Sequence, residues 1–163
     1  MNKKVSTRQA GKQSPLYTGR RRAREFALQG LYQWIVGKQD LSAILQQAQQ
    51  AKGFRTCDQS YYRQLLENIM ASEHRLREQL MPFLDRAWSR VSPIEQSILL
   101  IGASELTARE PLPAGIILNE AIELAKAYGG SEGYCFVNRI LDDFRLSLPM
   151  SQAASVALNG ERL

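Results

Sequence analysis

The sequence predicts an all-α fold of about seven helices. Three observations predict it. Apolar residues recur at three- and four-residue spacing through most of 20–148. No segment alternates apolar and polar residues for long between turn signals, so no strand is expected. Capping residues stand where the helical periods begin. The chain has 163 residues, 44% hydrophobic and 23% charged, which can bury one core or two small packed subdomains. A break near Ser89 to Ser92 divides an N-terminal half, about 20–90, from a C-terminal half, about 91–148.

Residues 1–19 read as a flexible basic arm, polar and without a sustained period. From Arg20 onward Ala23, Phe26, Ala27, Gly30, Leu31 and Trp34 keep helical spacing, and Gly37 ends the run. Asp40 is placed to cap a second helix whose stripe is Leu41, Ile44, Leu45 and Ala48, stopped by Gly53. Thr56 to Gln59 fits a capping box for a longer helix carrying Tyr62, Leu65, Leu66, Ile69, Leu76 and Leu80. Pro82 breaks it, and a short piece with Phe83, Leu84 and Trp88 follows.

Ser92-Pro93-Ile94-Glu95 is the clearest helix start, with a serine cap, a proline in the first turn and a glutamate placed to reach back. That helix is apolar nearly all round, which predicts a buried central position. Two more helices span about 114–128 and 132–146, and residues 149–163 read as a loose tail.

The chemistry-bearing residues are few. One histidine (His74) and two cysteines (Cys57 and Cys135) do not complete a four-ligand zinc set or suggest a disulfide framework. Both cysteines read as small packing residues in a reducing cytoplasm. No phosphate loop, nucleophile elbow or metal-protease motif occurs, so neither catalysis nor a cofactor or metal is expected. No apolar core follows the first basic residues, and no run approaches the length of a membrane span. Glu120, Glu123, Asp142 and Asp143 read as acids on helix surfaces.

The charge is more informative. The net charge is +5, yet the first 24 residues carry eight basic side chains and no acid, so the rest sums to −3. A polyanionic partner follows. Arg20, Arg21, Arg22 and Arg24 sit in the first turn of the first predicted helix. The macrodipole there disfavours cations but draws phosphate. Arginine binds phosphate bidentately and stacks on bases. A helical wheel places Arg21, Arg24, Leu28 and Tyr32 away from Phe26, Gly30 and Trp34. An exposed Tyr32 beside arginines suits single-stranded RNA.

Four segments then resemble one family: RRRARE (Arg20 to Glu25), FALQGLYQW (Phe26 to Trp34), LNEAIELAK (Leu118 to Lys126) and FVNRILDD (Phe136 to Asp143). Together, in this order and spacing, they are similar to the NusB family of bacterial transcription antitermination factors. The resemblance implies a helical, non-catalytic protein of two helical subdomains. It implies binding of single-stranded boxA RNA jointly with NusE, a small-subunit ribosomal protein. It also implies action on the RNA polymerase elongation complex with other Nus factors, supporting ribosomal RNA transcription. Residue by residue, it assigns RNA contact to Arg20, Arg21, Arg22, Arg24 and Tyr32. A second RNA- and partner-contacting region maps near Glu132, Phe136, Asn138 and Arg139. Two positions depart from the family: Arg139 stands where glycine is usual, and Leu100 where arginine is frequent.

Other readings remain open at this point. They are an accessory domain like that of some ribosomal RNA cytosine methyltransferases, a DNA-binding helical domain, and a purely protein-binding scaffold.

Overall fold

A computed structural model describes residues 15–149, with side-chain surroundings from Tyr17 onward. Residues 1–14 of the expected arm and 150–163 of the expected tail lie outside the described residues. The six α-helices are α1 (Pro15–Gly37), α2 (Leu41–Gln50), α3 (Gln59–Leu80), α4 (Pro93–Leu106), α5 (Ala114–Tyr128) and α6 (Gly133–Ser147). No strand occurs among the described residues. The short piece expected around Phe83 to Trp88 is a pair of 3-10 turns, Met81–Phe83 and Trp88–Arg90. Pro82 forces this, because it lacks the N–H a continuing helix requires.

Three helix starts show how local chemistry sets the boundaries. Asp40 accepts from the Ala43 N–H at 2.8 Å, as its position predicts. Ser92 accepts from the Glu95 N–H at 3.2 Å with Pro93 in the first turn, and its hydroxyl donates to the Glu95 carboxylate at 3.0 Å. For α3 the cap is Asp58, accepting from the Tyr61 N–H at 3.0 Å, and not Thr56. Thr56 belongs to the preceding 3-10 turn, and its hydroxyl donates to the Gly53 carbonyl at 2.7 Å. Residues 15–19, expected in the arm, form the first turn and a half of α1. Pro15 suits that place, since its fixed φ is already helical.

The apolar helix α4 is central. It packs on α1 and α3 from one half of the chain and on α5 and α6 from the other. Ile98, Leu99, Leu100, Ile101 and Ala103 are fully buried in it. Gly102 lets α6 approach: a Cβ there would sit 2.5 Å from Leu141 Cδ1. A second cluster joins α1 to α3, where Phe26, Phe54 and Tyr62 meet edge to face with centroids 5.2 to 6.4 Å apart. The buried residues of both halves form one continuous core.

Candidate nucleic-acid interface

Helix α1 is covered on two sides. Gly30 faces Ile44 of α2 and Leu66 of α3. The opposite side meets α4. That second contact overturns part of the sequence-based wheel, because Leu28 and Arg24, expected outside, are 1% and 2% exposed. The helix keeps one open stripe: Thr18, Arg22, Gln29, Tyr32 and Val36 are exposed, with Glu25 half-buried between them. These positions follow a spacing of three and four residues, as one helix face must.

The four arginines therefore have four different fates. Arg24 forks onto Glu105 of α4, with Nε 2.9 Å from Oε1 and Nη2 2.8 Å from Oε2. Its Nη1 is also 3.9 Å from Glu120 of α5. Tyr61 donates its hydroxyl to the same Glu105 carboxylate. Arg24 is thus a core residue, and its assignment to RNA contact is corrected: an enclosed guanidinium with both faces of its fork engaged has none left for phosphate.

Arg21 forks onto Glu120 at 3.1 and 3.0 Å and donates to the Tyr17 hydroxyl at 3.0 Å. About a third of its side chain (32%) still meets solvent. Arg20 lies over the Tyr61 ring, 4.8 Å from its centroid, and 4.0 Å from Asp58. Its Nε is buried without a hydrogen-bond partner among the described residues. Arg22 is exposed, makes no ion pair among the described residues, and rests its guanidinium against Gly53.

Glu120 was expected on a helix surface but is 2% exposed. Burial pushes its carboxyl up. The hydrogen bonds from Arg21 and Tyr17, with the guanidinium charges of Arg21 and Arg24, outweigh burial and hold it below the ordinary value. For Arg24, burial opposes the charge, and the hydrogen bond and charge of Glu105 raise its pKa. Half-buried Tyr61 is pushed up by burial and then by the Glu105 charge.

The open stripe stays solvent-facing. Arg22 and Tyr32 are ten residues apart, roughly 15 Å along the helix. Tyr32 is 40% exposed and Tyr128, at the end of α5, 41%. Tyr128 lies close enough to Glu25 and Arg22 for both charges to act on its hydroxyl. The exposed cations Lys52 and Arg55 flank Gly53 in the turn that Arg22 touches. The sequence does not single out Tyr128, Lys52 or Arg55. Nothing local in their segments signals them, since only the fold sets the Gly53 turn against Arg22 and places Tyr128 within reach of its charge.

The second expected region is a separate cleft of about 540 Å³ at the start of α6. Glu132, Phe136 and Arg139 line it with Asp85, Arg86 and Glu95. Phe136 is half-buried, with Arg86 4.5 Å and Arg139 5.9 Å from its centroid. Arg139 pairs with Asp85 at 3.3 Å. Asn138 is exposed but does not line the cleft. Cys135 is also exposed there rather than packed, whereas Cys57 is buried and burial raises its thiol pKa. Among the described residues no group of His, Cys, Asp and Glu is placed to hold a metal ion, and no helix is long and apolar enough to cross a membrane.

Comparison with known proteins decides the family. The sequence profile of the NusB family matches residues 21–145. The transcription antitermination protein NusB of Ralstonia pickettii is 42% identical over 134 residues, which covers 82% of this chain and 86% of that protein. The chain belongs to the NusB family. The NusB of Dechloromonas aromatica is 39% identical over 142 residues, covering 87% of each chain. A solved structure of T. maritima NusB superposes with a TM-score of 0.69 at 24% identity, covering 82% of this chain and 96% of that one, and so shares the fold. Within this NusB chain the two departures have distinct settings. Arg139 joins the Phe136 cleft through Asp85. Leu100 is fully buried in α4 at the floor of another cleft.

Proposed function

We propose that this NusB-family chain is a transcription antitermination factor that binds single-stranded, boxA-like RNA in the cytoplasm. It binds together with NusE and acts on the RNA polymerase elongation complex with other Nus factors. The observation that carries this reading is the open stripe of α1, where exposed Arg22, without an ion pair among the described residues, shares a face with exposed Tyr32, and where exposed Tyr128 of α5 feels the charges of Arg22 and Glu25. Arg22, Lys52 and Arg55 hold phosphates, and the tyrosines offer faces for unpaired bases. Arg21 adds the exposed third of its side chain, while Arg20 contributes from beside Tyr61. The cleft of Glu132, Phe136 and Arg139 serves the second contact, with Arg86 as the added cation and Asn138 at its margin.

The family match and the geometry support this over the open alternatives. A titration with boxA-like RNA against a scrambled strand, with and without NusE, tests it. The expected result is tighter binding of the specific strand, and tighter still with NusE. Equal binding of both strands in both conditions contradicts it.

A further inference from the structure

Arg21 borders the open stripe of α1. Exposed Thr18 lies three residues before it and exposed Arg22 one after, and 32% of its own side chain meets solvent. That position suits a phosphate contact, but its partner opposes one. Two of its three guanidinium nitrogens, Nε and Nη2, donate to the two oxygens of Glu120 at 3.1 and 3.0 Å. Glu120 belongs to α5, 99 positions later in the chain, and its side chain is 2% exposed. Other groups of α1 fix it in place. Tyr17 donates its hydroxyl to the same carboxylate, and the Arg24 Nη1 lies 3.9 Å from it. With its carboxyl held below the ordinary value, Glu120 is charged at neutral pH.

A guanidinium and a carboxylate 3.0 Å apart act on a more distant phosphate as a dipole rather than as a charge. The two fields nearly cancel beyond the length of the pair, and salt screens the remainder within ~8 Å. An RNA phosphate that takes Arg21 as a full contact has to draw it away from a bidentate, charge-assisted partner. Arg22 faces no such competition, being exposed and without an ion pair among the described residues. Glu123, three residues beyond Glu120 on α5, offers a comparison. It is exposed, and it lies 4.0 Å from Lys126 rather than on Arg21.

We propose that Glu120 sets the RNA affinity of the α1 face by competing with phosphate for Arg21, which therefore supplies less than a full phosphate contact. The proposal rests on the RNA reading of that face and adds the residue that moderates it.

The test is the salt dependence of binding to a boxA-like single strand and to a scrambled one, read by fluorescence anisotropy on the full chain. Glu120→Gln keeps a hydrogen-bond acceptor for Arg21 and removes the charge. It is expected to tighten binding about three- to fivefold, the scale of one exposed ion pair, and to steepen the log–log slope by up to about 0.7. Adding Arg21→Gln to Glu120→Gln is expected to abolish that steepening. This double variant is expected to fall short of the wild-type slope by less than half of the roughly 0.7 that Arg22→Ala removes. Glu123→Gln changes the net charge by the same amount as Glu120→Gln and is expected to move the slope less than half as far. An unaltered or flatter slope in folded Glu120→Gln, an equal gain in Glu123→Gln, or a full loss of about 0.7 in the double variant overturns the proposal. Should Glu120→Gln fail to fold by circular dichroism, the double variant, in which both charges of the pair are gone, decides. Both strands report the slope, so equal binding of the two contradicts the boxA reading and leaves this proposal standing. Absence of binding to either strand overturns both.

Discussion

Arg22 and Arg24 are two residues apart, yet one meets solvent and the other is sealed in the core. The difference lies in what each side of α1 touches. Arg24 finds Glu105, 81 positions later, and removing one partner of such an enclosed pair leaves the other charge uncompensated. Arg24→Ala is therefore expected to lower unfolding stability by about 3–5 kcal/mol in urea titration.

Glu120 gives a pH signature. Its carboxyl is held below the ordinary value of 4.5. Its stabilisation is complete above that value and is lost as pH falls through the lower, folded-state value. Glu120→Gln is expected to be less stable at neutral pH, with a shallower loss of stability on acidification. Thermal melts from neutral to acid pH check this. None of it was legible in the sequence. A four-arginine turn reads as free charge until the carboxylates of α4 and α5 are folded against it.

Among the elements, legibility followed locality. Asp40 and Ser92 cap where predicted because each acts on N–H groups within three residues. The cap of α3 was displaced from Thr56 to Asp58 because the residues before it close a 3-10 turn that uses the threonine hydroxyl. The apolar pattern of α4 correctly predicted a central helix, since a helix without a polar face must be covered all round. The wheel of α1 went wrong for the converse reason. Its sequence carries polar residues on a side that α4 covers, and only distant ion pairs make that tolerable. The close approach of α4 and α6 at Gly102 has no sequence signal beyond the glycine itself. Gly102→Val is expected to cost about 1–3 kcal/mol through overpacking against Leu141, read as a lowered denaturation midpoint.

For the whole molecule, the arrangement turns a basic sequence start into a graded surface. Arg24 is spent inside, Arg21 is shared with Glu120, and Arg22 is presented outward beside Tyr128. The fold class and the family's defining segments were legible because helical period and motif order are properties of the chain. The composition of the proposed RNA face was not, because only the fold sets the turn at Gly53, with Lys52 and Arg55 beside it, against Arg22 and brings Tyr128 of α5 within reach of its charge. The charged tip and its aromatic company thus belong to three separate stretches of sequence.

The salt dependence of binding to a boxA-like single strand tests this account most directly. Four neutralised phosphates would give a log–log slope near −3, and each lost phosphate contact removes about 0.7. Arg22→Ala is predicted to flatten the slope by about 0.7 while the helical circular dichroism spectrum is retained. An unchanged slope in a folded Arg22→Ala variant would contradict the assignment of the open face of α1 to RNA.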